Sequence, residues 1–426
     1  MALGGGTFTS QNKSLPGSYI NFVSVARAQA IMGERGTVTM GMELNWGSDG
    51  VVELTEENLI KNSIETFGYA YDAVELSVFR DIFLNATKLI LYRLNSGGSR
   101  AENTYAKAKC SGTRGNDIKI VIQVNVDEHE KFDVKTYLDT VLVDTQTVAA
   151  ANELADNGLV VFKGDATLEE TAGMQMTGGT NSEVTGKDHT AYLSAIEPYA
   201  FNAIGTMTED TVTNRMYVAF TKRMRESVGA KFQCVVYGTA ADHEGVVNVK
   251  NGKNVVPWIL GAVGGCAVNK SCTNKKYDGE ADVKCSYTQA ELESAIKAGE
   301  FVLHQTGDDI RVLADINSLT TLSDEKGEIF QSNQSIRVMD QIANDIAVIF
   351  NTRYIGAIAN NIPGRNALWL DIVKHHEELQ KIGAIENFSE SDVAVTEGDT
   401  KKSVVVTDTV TIVNAMEQLY MTVTVQ

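Results

Sequence analysis

The chain has 426 residues, 43% of them hydrophobic, enough to bury sizeable cores in about two to four domains of ordinary size. Its formal net charge of −18 argues against a nucleic-acid binder, which needs a basic footprint, and no uninterrupted apolar run is long enough to span a bilayer. The five cysteines (Cys110, Cys234, Cys266, Cys272 and Cys285) are odd in number and scattered, which reads as reduced thiols and not as a disulfide framework.

The opening Met1-Ala2-Leu3-Gly4-Gly5-Gly6 has neither a basic nor an apolar region, so a secretory signal is not expected and synthesis in a cytoplasm is. Residues 4–25 are rich in Gly, Ser, Thr and Asn and turn apolar at Tyr19, Ile20, Phe22 and Val23, the pattern of an extended arm ending in a short strand. Thr55 caps a predicted helix with Glu56 and Glu57 in its first turn and Ile60, Ile64 and Phe67 as its apolar stripe. A second predicted helix carries Leu76, Phe79 and Phe83 and runs into a buried strand at residues 89–92. Near residues 96–99 the periodicity changes. Ile118, Ile120, Ile122, Val124 and Val126 then alternate with Lys119, Gln123 and Asn125. With a second Gly-rich junction at residues 173–186, this predicts an inserted β-sandwich.

Helix and strand signals alternate again after Asp188: a helix through Tyr192, a strand near Phe201, a helix over residues 209–227 and a strand over residues 232–237. Thr288 and Glu291 form a capping box for a helix that Gly299 closes, and strands are predicted at residues 301–305 and 311–316. Such alternation predicts an α/β layer on a largely parallel sheet. Two long amphipathic helices follow, one with Met339, Ala343, Ile346 and Phe350 on its stripe, the other with Leu368, Ile372, His375, Leu379 and Ile382. An acidic, turn-rich stretch at residues 386–399 leads to terminal strands. In the last of these Leu419, Met421, Val423 and Val425 alternate with Tyr420, Thr422 and Thr424.

Both ends thus read as apolar strands with no obvious partner nearby. Each can pair within its own sheet, or add to the exposed edge of a neighbouring copy, where backbone bonds give affinity and alternate side chains give register. The stretch from Thr7 to Phe22, fully extended, reaches roughly 50 Å at about 3.3 Å per residue. Exchange between identical copies is heterologous and builds rings or helical arrays.

The opening Gly5-Gly6-Thr7-Phe8-Thr9-Ser10-Gln11-Asn12-Lys13, with Leu15-Pro16-Gly17-Ser18-Tyr19-Ile20-Asn21-Phe22, resembles the start of contractile tail sheath proteins of phages and phage-tail-like particles. Gly112-Thr113-Arg114-Gly115-Asn116-Asp117-Ile118 is similar to the family's entry into its β-sandwich, and Asn414-Ala415-Met416-Glu417-Gln418-Leu419-Tyr420-Met421-Thr422-Val423 to its C-terminal strand. The resemblance implies a multidomain α/β chain: a subtilisin-like α/β central domain, an inserted β-sandwich, an α+β C-terminal domain facing a tail tube, and strand arms at both ends. On that basis the divisions expected are an arm at 1–22, an α/β segment at 23–97, the sandwich at 98–186, the central domain at 187–332 and the C-terminal domain at 333–426. It further implies a homo-oligomer of hexameric rings in a helical array, with tail tube, baseplate and tail terminator proteins as partners. Assembly would take place in a bacterial host cytoplasm, and the product would contract to drive the tube through a target cell envelope. The intersubunit residues implied are Thr7, Phe8, Tyr19, Ile20 and Phe22 in one arm and Leu419, Met421, Val423 and Val425 in the other.

Chemistry-bearing patterns are sparse. No Asp, His and Ser stand in the context of a protease triad. The Gly261, Gly264, Gly265 run lacks the spacing of a phosphate loop and reads as close packing. Cys266, Cys272 and Cys285 lack C-x-x-C pairing, so no metal site, cofactor or enzymatic role is expected. His375 reads as a packed core residue, while His376 is expected to meet solvent or the tube. Arg353, Arg365, Lys374 and Lys381 are cations in an acidic chain, either touching acidic groups on the tube or forming a solvated face. The alternatives to a sheath subunit are another self-assembling structural protein, of tube or surface-layer type, and an α/β enzyme with a β-insert.

Overall fold

A computed structural model describes residues 33–425. At its centre is a seven-stranded sheet in the spatial order Glu300–Phe301, Val246–Val249, Gln233–Tyr237, Ala203–Gly205, Thr37–Met42, Lys88–Arg93, Val51–Leu54. All neighbours are parallel except the last pair, which is antiparallel. Parallel neighbours require crossovers; helices supply most of them, while residues 238–245 join Gln233–Tyr237 to Val246–Val249 without a helix. Helices α1 (Glu56–Phe67) and α2 (Ser77–Phe83) serve the first half of the sheet. Helices α3 (Gly186–Ile196), α4 (Thr211–Arg223), α5 (Val256–Gly265) and α6 (Gln289–Lys297) serve the second.

Helices cover both faces, so the strands are apolar on both sides. In Lys88–Arg93, Leu89 and Leu91 join a cluster with Val38, Met40, Val247 and Trp258. Ile90, on the opposite face, joins Ile204, Cys234, Tyr192 and Tyr217. Helix α5 is buried from Val256 to Gly264 and lies against α2. A Cβ on Gly261 would stand 2.4 Å from the Ile82 carbonyl oxygen, and one on Gly265 1.8 Å from that of Asn85. Helix-to-helix contact this close admits only glycine, which accounts for the run without a ligand.

The predicted caps are present: Thr55 accepts from Asn58 N, and Thr288 and Glu291 satisfy each other's backbone. Gly299 follows α6 at φ +66°. The stripe of α1 is turned from the expected one. Leu59, Ser63 and Phe67 are buried while Ile60 is 51% exposed, because a serine interrupts the inner face and made the outer one look more apolar.

The insert has a four-stranded antiparallel sheet, Val141–Val148, Phe132–Leu138, Ile118–Val124 and Thr171–Gln175, and a two-stranded one, Ala106–Ala108 with Val160–Phe162. Ile118, Ile120 and Ile122 are fully buried in a core that also takes Trp46. Val126 lies past the strand end and is 82% exposed. The supposed junction at residues 173–186 begins inside a strand: Thr171–Gln175 pairs with Ile118–Val124. Gly173, at φ +148°, sits where that register shifts, so this glycine marks a bulge.

Two corrections concern strands. The predicted strand over 301–305 is two: Glu300–Phe301 ends the central sheet, and Leu303–Thr306 turns away to pair antiparallel with Asp309–Val312, which stops short of Ile316. Residues 386–399, expected as turns, contain Val393–Glu397, which forms a hairpin with Val404–Asp408. This hairpin packs on α8 (Ile362–Lys381), which follows α7 (Asn333–Ile349). Ile385–Glu386 pairs with Thr411–Ile412 nearby. Among the described residues no helix is long and apolar enough to cross a membrane.

Candidate functional site

Thr7, Phe8, Tyr19, Ile20 and Phe22 lie outside the described residues. The chain enters view firmly held. Gly33 N donates to Asp345 Oδ1 at 3.1 Å, and Gln341 Nε2 donates to Gly33 O at 3.1 Å. Arg35 donates to the carbonyl oxygens of Cys266 and Val263 at 2.9 and 3.2 Å, closing the C-terminus of α5. Asn202 Oδ1 accepts from Gly36 N and Thr37 N.

The other end is fixed only so far. Val413 O accepts from Gln334 Nε2, Ala415 N donates to Gln334 Oε1, and Ser335 Oγ donates to Asn414 Oδ1 at 3.0 Å. Thr273 Oγ1 donates to Glu417 Oε1 at 2.6 Å. Beyond Glu417 the predicted strand has no strand partner among the described residues, and Leu419, Met421, Val423 and Val425 are 85%, 74%, 68% and 89% exposed. An alternating apolar segment without a sheet of its own leaves both its backbone and its side chains in water.

Helix α7 joins the C-terminal region to the central sheet, and the expected stripe of Met339, Ala343, Ile346 and Phe350 is only half-buried. The buried side is largely polar, with Asn333, Arg337, Asp340, Gln341 and Asp345 beside Ile336, Val338 and Ile349. Arg225 meets Asp340 through two bonds of 2.6 and 2.8 Å, Arg337 pairs with Asp315, and Gln233 Nε2 donates to Asn333 Oδ1 at 2.6 Å. The search for apolar stripes missed this face; its signal was Arg337, Asp340 and Asp345 recurring on one side of a helix.

His375 is buried as expected, and His376 is equally buried, against expectation. His375 Nε2 lies 2.9 Å from Asp345 and His376 Nε2 2.8 Å from Asp408. Adjacent helical residues point about 100° apart, so both are covered only because α7 closes one side of α8 and the hairpin another.

Three of the four cations meet partners in their own chain. Arg353 pairs with Asp371 at 2.9 Å, and Arg365 donates to Asn360 Oδ1 at 2.9 Å with Glu397 at 3.9 Å. Lys381 reaches Glu378 at 3.1 Å, and Lys374 is half-buried on α8. A crevice of about 720 Å³ opens at the carboxyl ends of Thr37–Met42 and Ala203–Gly205, where α/β sheets commonly hold ligands. Its histidine, His189, has Nδ1 2.8 Å from the Tyr217 hydroxyl, and neither serine nor cysteine is among its lining residues.

Among the described residues the arrangement offers anchored segments and unpaired strand edges, and it matches known proteins closely. Residues 86–181 match the phage tail sheath protein β-sandwich domain, 182–318 the phage tail sheath protein central domain and 325–426 the phage tail sheath C-terminal domain. The phage-like element PBSX protein XkdK of Bacillus subtilis is 31% identical over 99% of this chain and all of its own length. The crystal structure of a sheath tail protein from Desulfitobacterium hafniense superposes with a TM-score of 0.81 at 37% identity, over 89% of this chain and 93% of that one. One from Listeria innocua gives 0.77 at 32%, over 90% and 93%. The sheath of the anti-feeding prophage in its contracted state shares the fold, with a TM-score of 0.59 at 11% identity over 97% of this chain and 99% of that one. With its three regions matched in order and full-length relatives above 30% identity, the chain belongs to the phage tail sheath protein family.

Proposed function

We propose that the chain is the repeating subunit of a tail sheath and that it polymerises by lending its terminal strands to neighbouring copies, forming stacked rings around a tail tube that contract as the copies rearrange. The observation that carries this is the C-terminal tail, anchored to its own chain as far as Glu417 and then exposed with apolar residues at every second position. Two two-stranded sheets of the same region, Val393–Glu397 with Val404–Asp408 and Ile385–Glu386 with Thr411–Ile412, keep outer edges unpaired among the described residues. An edge of this kind accepts an added strand, and the alternating side chains set its register. The N-terminal arm acts in the same way from its root at Gly33, and Lys374 and Lys381 on α8 meet acidic groups on the tube. The role is mechanical, and no step of it requires bond chemistry.

The test is a triple substitution, Leu419→Lys, Met421→Lys and Val423→Lys, followed by sedimentation of polymer from monomer. Each lost apolar contact is worth about 1–2 kcal/mol, so the concentration needed for polymerisation rises at least about tenfold while the monomer melts as before. Unchanged polymerisation would overturn the strand-exchange reading.

A further inference from the structure

Two of the cysteines flank the loop that leaves α5. Cys266 is half-buried and Cys272 fully buried. Both gather at the helix end: the Ala262 carbonyl oxygen accepts from Cys266 N at 3.0 Å and lies 3.6 Å from Cys272 Sγ. Cys266 Sγ is 3.4 Å from the Lys270 carbonyl oxygen, and the Cys272 thiol stands close enough to act on it as a donor.

Positive charge prevails around Cys266: Arg337 and Arg35 supply two guanidiniums against the one carboxylate of Asp315. Arg337 gives Nη2 to Asp315 and to Lys270 O, but its Nε and Nη1 are buried without a partner among the described residues. Unmet buried donors are costly and call for an anion. The hydrogen bond from Cys272 brings the Cys266 thiol down to about 7, and the charges of Arg337 and Arg35 add to this against the effect of burial. Burial and the like charge of Arg337 push Arg35 down to about 10. Cys272 is pushed up, by the bond it gives to Cys266 and by burial.

We propose that Cys266 and Cys272 form a reactive dithiol, with Cys266 as a thiolate nucleophile toward small organic disulfides and Cys272 as the resolving thiol. The Cys266 thiolate attacks one sulfur of the disulfide RS–SR, forming a mixed disulfide and releasing RS⁻. Cys272 then loses its proton to solvent and attacks Cys266 Sγ, forming the Cys266–Cys272 bond and releasing the second RS⁻. Two protein thiols are oxidised and one small disulfide is reduced to two thiols. The pair rests on this chain's own residues and is independent of the assembly reading.

The experiment treats the reduced full-length chain with excess 2-hydroxyethyl disulfide, followed by intact mass, thiol count and peptide mapping. The expected product has lost two hydrogens, has three of its five free thiols left and contains a Cys266–Cys272 peptide link. Cys272→Ser is expected to stop at a mixed disulfide on Cys266, and Cys266→Ser to leave Cys272 unmodified. Five remaining thiols, persistent adducts on the unmutated chain, or preferential modification of Cys110 or Cys285 would overturn the pairing. Peptide-resolved alkylation by iodoacetamide, on the unmutated protein, is the second measurement. Cys266 is expected to show a midpoint near pH 7. At that pH it should react about threefold faster than an ordinary exposed thiol, the larger thiolate fraction being partly offset by lower nucleophilicity. A midpoint at the ordinary thiol value would overturn the thiolate assignment.

Discussion

Asp340 and Arg225 keep 7% and 5% of their side chains exposed, so each is the other's main compensation. Asp340→Ala strands a buried guanidinium and is expected to cost about 3–5 kcal/mol, read as a shift of the denaturant midpoint. Replacing both residues by apolar ones of similar volume is expected to cost much less. Asp242 behaves differently. Hydrogen bonds from Thr321 and Thr320 hold its carboxyl well below the usual carboxylate value of 3.8. A carboxylate depressed in the folded state contributes stability above its unfolded value and loses it as pH falls through the folded one. Stability should therefore fall as pH drops below about 3.8, and Asp242→Asn should flatten that slope in acid melts. The Thr288 and Glu291 box was legible because it closes within four residues. The Arg225–Asp340 pair was not, because its partners lie 115 positions apart and no local pattern joins them. A separation of 32 positions likewise hid Asp408 from His376.

At the scale of elements, contact between α2 and α5 depends on glycine. Gly261→Ala places a methyl against the Ile82 carbonyl and is expected to cost about 1–3 kcal/mol in thermal or chemical melts. Gly186→Ala is the control: its Cβ would meet nothing nearer than Met216 Sδ at 4.0 Å, so stability should hold or rise slightly. The parallel sheet and its helices were legible because strands buried on both faces read as apolar runs such as Leu89, Ile90 and Leu91. Helix α7 is less legible for the opposite reason: Arg337, Asp340 and Asp345 share its buried side with Ile336, Val338 and Ile349, and charges that only tertiary partners neutralise do not register in an apolar stripe. Glycine is ambiguous in the same way, since Gly173 marks a bulge inside a strand although a glycine there also suits a domain boundary.

The whole molecule has a firm body and a tail that pairs with no strand among the described residues. Met416, Leu419, Tyr420, Met421, Val423 and Val425 are all exposed, a concentration of apolar surface that a soluble subunit leaves in water only where a partner is to cover it. Two-residue alternation makes this segment legible as a strand, but alternation does not name the partner, so sequence alone leaves two pairings open. The strand exchange proposed above would assign it to a neighbouring copy. The most direct test is negative-stain electron microscopy of the purified full chain beside a chain ending at Glu417, both checked by thermal melting. The account predicts hollow striated tubes from the full chain, and a soluble, equally stable monomer from the shortened one. Tubes of the same form from both, or monomers from both with a tube protein present, would contradict it.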